Sequence, residues 1–84
     1  MIEIRDTLLY AAFQEVDTRL QRLVEGEYER EARHQRARDG MDFARHCNTL
    51  VVSYNEMLDY FQRRPNYAFK VHNMKPVERT FRPM

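Results

Sequence analysis

One cysteine, two glycines, three prolines and no tryptophan are all that this 84-residue chain has of those residue types. A lone Cys47 excludes an internal disulfide and suits a reducing, cytoplasmic setting or a viral particle assembled there. No apolar run approaches the roughly 18 residues that a membrane span requires. Glu3, Asp6 and Glu15 interrupt the apolar residues of the N-terminal segment, which is the wrong chemistry for a secretory leader or a transit peptide. Gly26 and Gly40 stand alone, so there is no phosphate-cradling loop, and no Ser/His/Asp set has the local context of a nucleophile. These absences lead us to expect no cofactor, no metal and no enzymatic step, and to expect a protein whose work is contact.

Charged residues make up 32% of the chain and hydrophobic ones 43%, enough for one small domain at the size where a single core is only just sufficient. The net charge of +1 hides an asymmetry. Residues 1–29 carry seven acids against Arg5, Arg19 and Arg22, residues 30–62 balance, and residues 63–84 set six cations against Glu78 alone. Ends of opposite sign favour folding back or association between copies.

Two apolar blocks read as helices. In the first, residues 2–24, Ile2, Leu9, Val16 and Leu23 recur every seven residues, with Phe13 and Leu20 between them. Gly26 follows as a C-terminal cap or a kink. The second block, residues 42–64, carries three heptad columns: Phe43/Leu50/Met57, Ala44/Val51/Leu58 and Cys47/Tyr54/Phe61. Asp42 suits an N-cap, and Pro65 stops the helix. Between the blocks, residues 26–39 form a polar bridge, acidic at its start and arginine-rich at its end, an order that suits a helix dipole. Gly40 reads as its stop. The fold class expected is mainly α: an antiparallel helical hairpin over residues 1–64, then a C-terminal β-hairpin or extended arm over residues 65–84.

That final segment alternates. Tyr67, Phe69 and Val71 oppose Ala68, Lys70 and His72, and Val77, Arg79 and Phe81 oppose Glu78, Thr80 and Arg82, with Asn73–Pro76 as a turn. A two-stranded hairpin alone is marginal in water and needs a helix or another chain beneath it.

Three constellations lend themselves to sharper readings. Glu31 and His34 have the Glu-x-x-His spacing of di-metal bundles, but Arg30, Arg33 and Arg36 around them repel a cation. His46 and Cys47 are adjacent, so on a helix they point about 100° apart and make a poor catalytic pair. Ala44, Asn48, Tyr54 and Met57 can be forced onto a helix-turn-helix, yet the heptad columns pass through Asn48 without a phase shift. A solvated helix, a core cysteine and a continuous helix are the preferred readings.

The second helix has a face wider than 100°, more than two helices bury on each other, which points to a homo-oligomer or a subunit of a larger assembly. The residues expected to build that interface are Leu9, Phe13, Val16, Leu20, Leu23, Phe43, Leu50, Val51, Tyr54, Met57, Leu58 and Phe61. The residues expected to grip a neighbour or partner are Tyr67, Phe69, Lys70, Val71, Lys75, Arg79, Phe81 and Arg82. Chains of this size and build are frequent among viral structural and accessory proteins. The second-ranked function is nucleic-acid binding, with Lys70, Lys75, Arg79 and Arg82 on phosphates and Tyr67, Phe69 and Phe81 stacking on bases.

Overall fold

The computed structural model describes residues 4–34 and 37–83, and for 37–39 the backbone alone. Ile2 and Arg36, and the side chains of Arg38 and Asp39, therefore lie outside the described residues. The chain is mainly helical: α1 (Ile4–Arg22), a π-helical segment (Leu23–Glu27), α2 (Tyr28–His34), α3 (Ala37–Gln62) and a single turn, α4 (Ala68–Val71).

The heptad reading of α1 and α3 describes their packing. Phe13, Leu20 and Leu23 from the first helical run meet Ala44, Cys47, Val51, Tyr54, Leu58 and Phe61 from α3 in one buried cluster. Leu9, Val16, Phe43, Leu50 and Met57 pack half-buried around it. The pairing is antiparallel: the early part of α1 meets the end of α3, where the Phe13 ring lies 5.6 Å from Phe61, and Tyr28 stacks on Phe43 at 5.2 Å near the other end. The result is an elongated body of 49 × 23 × 15 Å.

The hairpin ends differ from the local signals. Gly26 is a kink, with φ +120, and Tyr28–His34 of the polar bridge continue the first helix beyond it, while Ala37 already belongs to α3. Across the kink the Tyr28 N–H bonds Leu23 O, one residue further back than an α-helix allows. Gly40 and Asp42 do not stop and restart a helix; both lie inside α3, with Gly40 buried and Asp42 exposed beside Arg45 at 3.6 Å. Local stop signals lose here to the continuous apolar seam. At the far end α3 stops at Gln62, just ahead of Pro65, as the sequence predicts. Arg63 and Arg64 close tighter bonds to Tyr60 O and Phe61 O.

Replacing Gly26 by alanine should cost about 1–3 kcal/mol, because an L side chain is strained at that φ. The added methyl would meet only Arg30 Nη1, at an ordinary 3.6 Å, so the backbone and not crowding sets the penalty. A lowered denaturation midpoint with an unchanged m-value would check this.

The C-terminal β-hairpin does not form: there is no strand among the described residues. Residues 67–71 make the helical turn α4, which buries Tyr67 and Val71 and leaves Phe69 67% exposed. Beyond the turn at His72 and Asn73, an extended arm runs back along α3.

Candidate binding groove

The arm lies across the groove between α3 and the π segment with α2, and two asparagines hold it there. Asn55 donates from Nδ2 to Val77 O (2.9 Å) and accepts the Val77 N–H on Oδ1 (2.9 Å). Asn48 repeats the arrangement one heptad earlier, with Nδ2 to Phe81 O at 2.9 Å and the Phe81 N–H to Oδ1 at 2.7 Å. Seven helical residues advance about 10.5 Å, and four extended residues about 13 Å, so the two ladders stay nearly in step. An amide side chain presents one donor and one acceptor, the complement of a residue's own N–H and C=O. Asn48 and Asn55 therefore do for the arm what a neighbouring strand would do.

Two tyrosines add further main-chain bonds. Tyr54 Oη donates to Lys75 O at 3.3 Å, and Tyr28 Oη donates to Arg82 O. Burial pushes both phenols above their ordinary pKa, so they remain donors at neutral pH.

The arm's side chains alternate as the sequence predicts for residues 77–82. Phe81 is buried, 2% exposed, with its ring 4.6 Å from that of Tyr28, and Val77 and Arg79 are half-buried. Glu78, Thr80 and Arg82 are exposed. The Arg79 guanidinium donates to Glu29 Oε1 and, at 3.3 Å, to the carbonyl of Val24. That carbonyl would accept the Tyr28 N–H in a regular helix; the kink at Gly26 sends that N–H to Leu23 O instead. The glycine thus helps prepare the arginine's seat. Arg79 also stacks over Phe81, 4.6 Å from its centroid.

Arg79 beside Glu29 holds that carboxyl below the usual carboxylate range, chiefly through the hydrogen bond it donates. An acid whose pKa falls on folding stabilises above its unfolded pKa, and the effect is lost as pH drops through the folded value. Arm docking should therefore be complete at neutral pH and weaken below the ordinary carboxylate range. Backbone amide shifts of Val77 and Phe81 followed through an acid titration would report it. In Glu29→Gln that titration step should be absent.

The residues expected to form a self-association face sit elsewhere than on an open surface. Phe13, Leu20, Leu23, Val51, Tyr54, Leu58 and Phe61 are buried within one chain, and Leu9, Val16, Phe43, Leu50 and Met57 pack against them. The wide face of α3 is covered partly by α1 and partly by the chain's own C-terminal segment. Among the gripping residues, Tyr67, Val71 and Phe81 join that same core. Lys70 lies over the rings of Tyr10 and Tyr67, at 5.4 and 5.3 Å. Lys75, Arg82 and Phe69 are exposed.

The sharper motifs resolve plainly. Glu31 lies 3.7 Å from Arg19, and no group of three or more His, Cys, Asp or Glu among the described residues is arranged to hold a metal ion. Cys47 is fully buried, which raises its thiol pKa, and His46 is exposed. Asn48, the would-be turn of a helix-turn-helix, is an interior residue of α3. No helix among the described residues is long and apolar enough to cross a membrane.

Sequence reasoning passed over Asn55 and Tyr28 and assigned Asn48 a different role. The signal that could have found the asparagines is their seven-residue spacing one position after Cys47 and Tyr54, which places both on one flank of the seam. No family model matches the chain, and neither a curated protein nor a solved structure shows significant similarity to it, so a functional reading rests on this groove and its arm.

Proposed function

We propose that this chain is a non-catalytic protein-binding and assembly module whose groove between α2 and α3 accepts an extended peptide segment. The observation that supports the reading is the pair of asparagines, each closing two hydrogen bonds with the main chain of one arm residue. Main-chain bonds supply affinity, and pockets for alternate side chains supply selectivity, the same division of labour as in strand addition. Here the selected pattern is apolar, arginine, aromatic at alternate positions: Val77, Arg79, Phe81.

The competing nucleic-acid reading loses two of its three stacking rings and one of its four cations in this arrangement. Tyr67 and Phe81 are 5% and 2% exposed, Arg79 is engaged by Glu29, and Lys70 lies over two tyrosine rings. Lys70, Lys75, Arg82 and Phe69 remain outward of the residues that reading requires. Affinity capture with the full chain, with nuclease added and at moderate salt, tests the two against each other. A protein retained by the wild type and lost with Asn48→Ala/Asn55→Ala is the expected outcome. Retention of nucleic acid alone, released steeply by salt, would replace this reading with the second one.

A further inference from the structure

We infer that the groove's partner is the C-terminal arm of a second copy of this chain, so that two molecules assemble by swapping arms. The inference rests on the binding reading above and names its ligand. The chain's own arm is the segment whose fit is seen: Val77 opposite Asn55, Arg79 against Glu29, Phe81 opposite Asn48. An arm from another copy offers the same groove the same contacts, so swapping breaks nothing that it does not remake. The balance between the closed monomer and the swapped dimer is then set by the hinge and by concentration.

Few main-chain bonds hold the hinge closed. Between α4 and Val77 the main chain is tied at two points, Met74 N to Val71 O at 3.0 Å and Tyr54 Oη to Lys75 O at 3.3 Å. Pro76 fixes its own φ and holds Lys75 in the extended region, so the segment entering the arm resists curling. Charge serves both arrangements. Residues 63–84 carry six cations against one acid and residues 1–29 seven acids against three cations, so an arm is drawn to an acidic half, its own or that of another copy. A short tether gives the cis arm an effective concentration of order millimolar, which places the onset of swapping where local concentration approaches that value, as it does inside an assembly.

Complementation between two full-length variants tests this. Asn48→Ala/Asn55→Ala has a damaged groove and an intact arm; Arg79→Ala/Phe81→Ala has an intact groove and a damaged arm. Each alone should be a monomer by light scattering at concentrations of order 0.1–1 mM, and their equimolar mixture should form a heterodimer. A mixture that stays monomeric while both variants keep their helical circular dichroism would overturn the inference. If either variant unfolds, the wild type decides through a mixed sample of differently isotope-labelled chains near 1 mM, a concentration of the order of the tether's own. Intermolecular contacts between the Asn48 side-chain amide and Phe81 are expected; intramolecular contacts alone would overturn it. Should affinity capture find a different protein while the mixture yields no heterodimer, arm swapping falls and the binding reading stands.

Discussion

Phe81→Ala is expected to lower the unfolding free energy by about 3–5 kcal/mol, the largest effect of any single arm substitution. The ring is 2% exposed and touches Tyr28 at a centroid distance of 4.6 Å, in a cluster that also contains the stacked Tyr28 and Phe43 rings. Its removal leaves a cavity between α2 and α3 and takes away the platform under Arg79. The main seam of α1 on α3 is untouched, so most helical circular dichroism should persist below the new midpoint. Trypsin should cut after Arg79 many times faster than in the wild type. Equal stability and equal cleavage would mean that the arm does not rest on its own helices.

The double substitution Asn48→Ala/Asn55→Ala comes next, at about 2–4 kcal/mol. It deletes four hydrogen bonds worth about 0.5–1.5 kcal/mol each, less what solvent recovers once the arm lifts. Both asparagines are half-buried and flank the seam without entering it, so their loss should leave the helical hairpin intact. Asn→Asp at the same two positions is the sharper variant. A carboxylate accepts the amide protons of Val77 and Phe81 but gives nothing back to their carbonyls and sets negative charge against them. Its effect should equal or exceed that of alanine. Urea denaturation of all three proteins, with no change in m-value, is the check.

The helices were legible because burial recurs with a helical period. Cys47, Val51, Tyr54, Leu58 and Phe61 follow spacings of four and three, and all five are buried. Their ends were less legible. Gly40 and Asp42 resemble a stop and a cap locally, yet a helix whose seam is already buried runs through both. Gly26 differs because its backbone is left-handed, and a glycine's local freedom leads to a visible kink there.

In the arm, alternation correctly marked Val77, Arg79 and Phe81 as one side and Glu78, Thr80 and Arg82 as the other. It could not say what satisfies the backbone. A period of two means an extended chain, and the partner proved to be asparagine side chains on a helix instead of a second strand. In residues 67–71 the same period misled: Tyr67 and Val71 are four apart and share the buried side of a helical turn, while Phe69 faces out. The polar bridge hid a core residue as well. Tyr28 is a lone aromatic among acids and arginines, and the kink, the Phe43 ring and the returning arm together make it a buried platform.

Asp6 and Tyr60 form a second contact that no local pattern announces. Tyr60 Oη donates to Asp6 Oδ1 at 2.6 Å and itself accepts from Arg64 Nη2 at 2.6 Å, locking the start of α1 to the end of α3. The partners are 54 residues apart in sequence. The hydrogen bond to Asp6 raises the Tyr60 pKa, so its proton stays on the phenol.

Amide hydrogen exchange over the arm reads its docking on the two asparagines residue by residue. The N–H groups of Val77 and Phe81 donate to asparagine side chains, and residues 74–83 form neither helix nor strand. Slow exchange is expected at Val77 and Phe81, well separated from faster exchange at Glu78 and Thr80, with both slow amides released in Asn48→Ala/Asn55→Ala. Uniformly fast exchange from Met74 to Arg82 in the wild type would contradict it.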